Sequence, residues 1–177
     1  MDVSLKKLLT RVCTIGLAVT ALDQASKNLV EVNMRLGESV SMIDGFFNFT
    51  LVLNRGAAFG LFSSIPDPWR GIVLSVTSII ALVFVAFLLT KDFRHNQAAH
   101  AALGMIVGGG VGNAIDRIQH GAVVDFLDFY FGNYHWPAFN VADSAIFVGV
   151  AILLFLGSQK PQAQTVGENK GPTGLAK

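Results

Sequence analysis

The chain has 177 residues, of which 52% are hydrophobic and only 14% charged, with a formal net charge of +1 and a mean hydropathy of +0.53. That balance excludes an ordinary soluble domain and gives no basic field for nucleic acid, so it points to a protein that crosses a membrane several times. The one cysteine, Cys13, allows no internal disulfide and suggests no thiolate metal cluster; within its apolar run it reads as a packing residue.

Lys6, Lys7 and Arg11 precede or open the first apolar run, Leu8 to Leu22 with an extension toward Val30. No small-residue cleavage site follows Leu22, so the run reads as a retained span over about residues 8–30. Residues 71–90 are uncharged between Arg70 and Lys91 and form the clearest span. A third span, about residues 98–115, carries Gly104, Gly108, Gly109, Gly110 and Gly112, small residues that let neighbouring helix backbones approach closely. The fourth covers about residues 138–157. At about 1.5 Å per helical residue each run suits a hydrocarbon layer about 30 Å thick. The expected fold class is therefore an all-α membrane protein with four transmembrane helices and a small extracytoplasmic sheet or loop region. Lys and Arg fall more heavily on the side of the termini, which places both termini in the cytoplasm.

Two external segments follow from this topology, residues 31–69 and 116–137. In the first, Ser39 to Leu53 alternates loosely around Asp44-Gly45, which predicts a small hairpin or sheet at the membrane surface. Phe46, Phe47, Phe49, Phe59, Phe62 and Trp69 make it aromatic, and such rings favour the headgroup level. The second segment is read as an aromatic loop. Residues 159–177 are polar and rich in Gly and Pro, which predicts a disordered tail behind a single domain of residues 1–158.

The unusual polar residues gather at the external ends of spans: Asp23 and Lys27 on the first, Asn113, Asp116 and Arg117 on the third, Asn140 and Asp143 on the fourth. Asn54 and Arg55 lie in the external segment, within reach of them. An acid in or near hydrocarbon costs roughly 2.5 to 3.5 kcal/mol at the bilayer centre, so Asp143 needs partners, and an intramembrane acid marks a functional site by default. Asn140 and Asp143, three apart, would share a helix face. Asn113 with Asp116, and Asp116 with Asp23, read structurally as hydrogen-bond or ion pairs with Arg117, and Asp128 reads structurally as solvated. Two neighbouring carboxylates that share one proton activate water without a metal: one takes a proton from water while the other polarises a carbonyl. Spacing leaves the partner of Asp143 open among Asp23, Asp116, Asp125 and Asp128. His95, His100, His120 and His135 lack HExxH spacing, so no zinc site and no cofactor are expected. A proton-relaying transporter would need polar residues in the inner half of the bundle, and a scaffold packing through its glycine face would not need acids at one depth.

Four blocks of sequence resemble the bacterial lipoprotein signal peptidase (signal peptidase II) family, in order between about Leu8 and Leu156. Asp23-Gln24-Ala25-Ser26-Lys27 is similar to the family's DQxTK with Ser for Thr, and Asn54 to Gly60 is similar to NxGAAFG. Gly112-Asn113, Asp116-Arg117 and Val123 to Phe126 match the third block, and Phe139 to Ser144 resembles FNxADS. The resemblance implies an aspartic endopeptidase of the bacterial inner membrane with Asp125 and Asp143 as its catalytic pair. It implies that Asp23, Lys27, Asn54, Arg55, Gly56, Asn113, Asp116, Arg117, Asn140 and Ala142 shape the site or hold substrate. The implied substrate is a prolipoprotein whose cysteine carries a diacylglyceryl group, cut just before that cysteine, with membrane lipid as surroundings. The implied enzyme acts as a monomer near the extracytoplasmic face, with the aromatic segment Phe46 to Phe62 clamping the substrate.

Overall fold

A computed structural model describes residues 3–56 and 96–158. The expected second span, the segment through Trp69 and the C-terminal tail lie outside the described residues. Three helices are described: α1 (Val3–Asn33), α2 (Gln97–His120) and α3 (Val141–Ser158). Four strands stand with them: β1 (Ser39–Ile43), β2 (Phe47–Asn54), β3 (Val123–Phe131) and β4 (Tyr134–His135). Helices α2 and α3 are long and apolar enough to cross a membrane. Helix α1 is longer than the expected first span at both ends, and Lys6, Lys7 and Arg11 belong to it.

Helix α2 packs between α1 and α3. Its glycines explain why it can. A Cβ on Gly104 would meet Ile15 Cβ at 2.8 Å, and one on Gly108 would meet Gly16 Cα and Val19 Cβ at 2.9 Å. On another side, a Cβ on Gly109 would collide with the carbonyl oxygen of Ala142 and meet Ile146 Cγ1 at 2.8 Å. Thr20 adds an interhelical bond, its Oγ1 donating to Gly108 O at 2.9 Å. The expected glycine packing face is thus two faces, one for each neighbour. Cys13, expected to pack, is exposed.

Helix α2 starts on Asn96, whose side chain accepts from Ala99 N, and runs to His120, five residues past its expected end. It stops at Gly121, whose φ of 66° is open to glycine and strained for other residues. Two residues later β3 begins, so the expected external loop is largely helix and strand. Helix α3 begins at Val141 rather than near Ala138, because Phe139 is held in an antiparallel bridge to Leu127 and Asn140 serves as the cap. The predicted hairpin is present: β1 and β2 are antiparallel around Asp44-Gly45, and Gly45 takes a φ of 79°.

The strands form one antiparallel sheet in the order β1-β2-β3-β4. Phe129 stacks on Phe47 at 4.7 Å and on Phe139 at 5.8 Å, so part of the aromatic content packs the sheet against its own return segment. The register between β2 and β3 shifts once. Phe49 pairs with Leu127, yet Val52 pairs with Asp125, so β2 spends three residues where β3 spends two. A one-residue bulge of this kind exchanges the faces of the strand beyond it. Beyond the bulge, Val52 and Asn54 lie on the face of Asp125; before it, Asn48 pairs with Asp128 on the other face.

Because a Cβ at Gly109 meets backbone of α3 one residue before Asp143, Gly109→Val is expected to lower stability by about 1–3 kcal/mol, as overpacked cores do. Gly157→Ala, where nothing lies within 4 Å, should be nearly silent. Thermal unfolding of both variants in detergent checks the contrast.

Candidate active site

The buried polar residues meet around one cation. Lys27, 2% exposed on α1, places its Nζ 2.8 Å from Asp23 Oδ2 and 2.7 Å from Asp116 Oδ2, and donates to Asn113 Oδ1 at 3.0 Å. An ammonium has three hydrogens and no acceptor, so three acceptors on α1 and α2 satisfy it completely. Two buried carboxylates and one buried ammonium are tolerable in this setting only because each is paired and hydrogen-bonded.

Each of these carboxylates also accepts a backbone N–H from a third element. Asp116 Oδ2 accepts Val124 N at 3.0 Å, which ties the end of α2 to β3 one residue before Asp125. Asp23 Oδ1 accepts Ala142 N at 2.9 Å, which ties α1 to the first turn of α3 one residue before Asp143. The N–H groups of a helix's first turn have no intrahelical partner, and the positive end of the helix favours an anion there. Asp23 therefore caps a helix 119 positions further along the chain.

Asparagine amides complete the constellation. Asn140 is the N-cap of α3: its Oδ1 accepts Asp143 N at 2.9 Å, and its carbonyl accepts Ser144 N at 3.2 Å. Its Nδ2 donates to Asp125 Oδ1 at 2.7 Å. Asn113 Nδ2 donates to Asp143 Oδ1 at 2.7 Å while its Oδ1 accepts from Lys27 and from Asn140. Asn54 Nδ2, brought to this face by the bulge, donates to Asp125 Oδ2 at 2.9 Å, and Asn54 Oδ1 accepts Gly56 N at 2.9 Å.

The structure thus joins Asp23, Lys27, Asn54, Gly56, Asn113, Asp116, Asp125, Asn140, Ala142 and Asp143 in one network. Arg117 lies beside it, its Nη1 3.5 Å from Asn113 O and within coulombic range of Asp143, Asp116 and Asp125. Arg55 is exposed at the end of β2. The ion pairs expected with Arg117 are made instead by Lys27, which lies one turn from Asp23 on the same helix. Asp23 and Asp116 are engaged by the cation, and Asp128 lies on the opposite face of β3, so Asp125 is the acid that shares Asn140 with Asp143. Asp128 is not solvated; it is 7% exposed. The serine that replaces threonine in the first block uses its hydroxyl locally, donating to Asp23 O at 2.8 Å.

Burial pushes the Asp125 carboxyl from its usual 3.8 up to about 7, and the charge of Asp143 pushes the same way. The amide bonds from Asn54 and Asn140 and the charge of Lys27 pull it down.

Sequence reasoning assigned no role to Gln24. Its Nε2 donates to Asp116 Oδ1 at 2.8 Å and to Gly112 O at 3.2 Å, so it braces the carboxylate that Lys27 holds. Its signal was present: an amide at the end of an apolar run, next to an acid, has the same need for a partner. Gly112 makes room for the cluster, since a Cβ there would collide with Asp23 Oδ2.

Two described helices of membrane-crossing length and apolarity, joined to a cluster of buried acids and a small sheet, fit the class of membrane enzymes. Two solved structures of bacterial membrane enzymes share the fold, with TM-scores of 0.72 and 0.70 at 31% and 29% identity. They cover 85% of this chain and 94% and 92% of their own. The chain belongs to the signal peptidase (SPase) II family, whose model matches residues 15–158. Similar relatives are the lipoprotein signal peptidases of Desulforapulum autotrophicum, 45% identical over 84% of this chain and 92% of its own, and of Syntrophus aciditrophicus, 41% identical over 90% and 99%. That of Geobacter sulfurreducens is 45% identical over 78% and 86%. The chain is thus an integral membrane signal peptidase.

Lys27→Met removes the cation shared by two buried carboxylates and is expected to destabilise by about 3–5 kcal/mol, the range for a broken buried pair. Adding Asp116→Asn should restore part of the loss, because one uncompensated charge goes with it. Denaturant unfolding of the single and double variants in micelles measures the coupling.

Proposed function

We propose that this protein is an aspartic endopeptidase that removes the signal peptide from diacylglyceryl-modified prolipoproteins, cutting just before the lipidated cysteine, with Asp125 and Asp143 activating water. The observation that carries this reading is the Asn140 amide, which bonds the Asp125 carboxylate on one side and the Asp143 backbone on the other. Family membership supports the substrate class, and a carboxyl held near neutrality supports a shared proton.

In this mechanism Asp125 carries the proton and Asp143 is ionised. Asp143 takes a proton from water as the water oxygen bonds to the scissile carbonyl carbon, and Asp125 gives its proton to the carbonyl oxygen. In the resulting tetrahedral diol, the C–N bond breaks as Asp143 passes its proton to the leaving nitrogen, and Asp125 takes back the proton of one diol hydroxyl, whose oxygen stays on carbon as the re-formed carbonyl. Asp23 and Asp116, braced by Lys27 and Gln24, hold the backbone beneath both acids, and Asn113 holds the Asp143 carboxylate itself. Asn54, Gly56 and Arg117 border the space where the substrate backbone lies, with Arg55 at its exposed edge, while the fully buried Asn140 and Ala142 shape the site from beneath. Buried acyl chains supply affinity of about 0.8 kcal/mol per CH₂ and bring the bond to the depth of the acids. The reading places four spans in the bacterial cytoplasmic membrane, with both termini in the cytoplasm, the site near the extracytoplasmic face and the monomer as the working unit.

Cleavage of a diacylglyceryl-modified prolipoprotein by purified protein, with a metal chelator present, tests the pair. Wild type should cut, and folded Asp125→Asn and Asp143→Asn should lose about 10²–10⁴-fold in kcat, the range for positioned acid-base groups. Variants that retain activity would remove the two acids from their roles.

The pH profile tests the proton's location. The acid form of Asp125 is populated below about 7 and lost above it, so kcat/KM should fall on the alkaline side with an apparent pKa near 7 belonging to the pair. Asn54→Ala deletes a hydrogen bond that favours the ionised form, so the alkaline limb should move to higher pH. A limb that stays fixed or moves down contradicts this assignment.

A further inference from the structure

Strand β3 carries a second buried acid that the proposed chemistry does not use. Asp128 lies three residues past Asp125 on the opposite face of the sheet, 7% exposed, and accepts Asn48 Nδ2 at 3.1 Å and Thr50 Oγ1 at 3.4 Å from β2. From β4, His135 brings its Nδ1 to 2.9 Å from Asp128 Oδ1 and 3.1 Å from Oδ2. A carboxylate offers only acceptors, so Nδ1 carries the hydrogen. The imidazole also lies flat on Tyr130, with ring centroids 4.9 Å apart and planes 9° apart.

His135 sits on the stretch that returns from the hairpin tip to α3. Beyond it, Trp136 N donates to Phe129 O at 2.8 Å, Phe139 N donates to Leu127 O at 3.1 Å, and Phe139 O accepts Leu127 N at 2.8 Å. The next residue is Asn140, the amide that joins Asp125 to Asp143. Strand β4 is only two residues long, too short for its ladder bonds alone to hold it. Its neighbours Phe131, Tyr134 and Trp136 are 83%, 85% and 70% exposed, so side-chain burial does little to anchor the tip.

We infer that the Asp128–His135 pair is a clasp that fixes the return segment against β3 and thereby positions Asn140 between the two acids. His135 is a positioning residue: it acts through the backbone of residues 135–140 and touches neither acid of the proposed pair. The reaction link rests on the hydrolytic reading; the structural link does not.

The test compares purified full-length wild type with His135→Phe, which keeps a flat ring against Tyr130 and removes the donor, and with His135→Asn, whose amide nitrogen can replace Nδ1. Backbone hydrogen exchange at Trp136 and Phe139 is read without substrate, and kcat and KM are read on a diacylglyceryl-modified prolipoprotein. His135→Phe should exchange about tenfold faster at both amides and lose about tenfold in kcat, with KM within about twofold, and His135→Asn should recover both. Wild-type exchange in His135→Phe, faster exchange with unchanged kcat, or no recovery in His135→Asn each overturns the clasp as a positioning device. If wild type itself fails to cut, the hydrolytic reading falls, and the exchange comparison alone decides whether the pair holds the segment.

Discussion

The buried ammonium of Lys27 is the constraint on which the rest of the molecule depends. A cation with 2% exposure persists only where every hydrogen meets an acceptor, and Lys27 finds Asp23 on its own helix with Asp116 and Asn113 on α2. Both carboxylates have a second oxygen lone pair to spend. Asp116 spends it on the N–H before Asp125, and Asp23 on the N–H before Asp143. One charge thereby locates a strand and a helix that both lie far along the chain from it, and the acids Asp125 and Asp143 inherit their places.

Asparagine is suited to what remains, because an amide donates at one atom and accepts at the other. Lys27 cannot accept, so Asn113 must turn its oxygen toward the ammonium, and its nitrogen then faces Asp143. Asn140 is oriented in the same way by the helix it caps: its oxygen is taken by Asp143 N, which leaves its nitrogen for Asp125. The orientation of each amide follows from the partner that has no alternative. Two acids in such a frame differ in environment without any difference in chemical type, which is the condition for unlike roles in acid-base chemistry.

The sheet contributes more than a cover. The bulge in β2 admits one extra residue and exchanges the faces of the strand beyond it, so Asn54 reaches Asp125, whereas an unbroken register would turn Asn54 away. Before the bulge, the same parity brings Asn48 and Thr50 to Asp128. One strand therefore serves two polar centres on opposite faces, with stacked Phe47, Phe129 and Phe139 between the strands and the return segment.

Much of this was legible along the chain. Apolar runs located α2 and α3, Asp44-Gly45 located the hairpin turn, the spaced glycines marked the packing helix, and the costly polar residues at span ends marked the network. Strand β3 was not legible, because Asp125 and Asp128 stand three apart in an apolar stretch and break the alternation that identifies a half-buried strand. Its pairing comes from β2 on one side and the return segment on the other. Local pattern also could not choose Lys27 over Arg117 as the central cation, nor Asp125 over Asp23, Asp116 and Asp128 as the acid that shares Asn140. The amino-acid sequence alone determined which residues need partners, since that follows from the cost of a polar group in an apolar setting. Only the tertiary structure decided which partners they take, because helix packing and a one-residue bulge set where each side chain points, and the deciding bonds join residues as much as 119 positions apart.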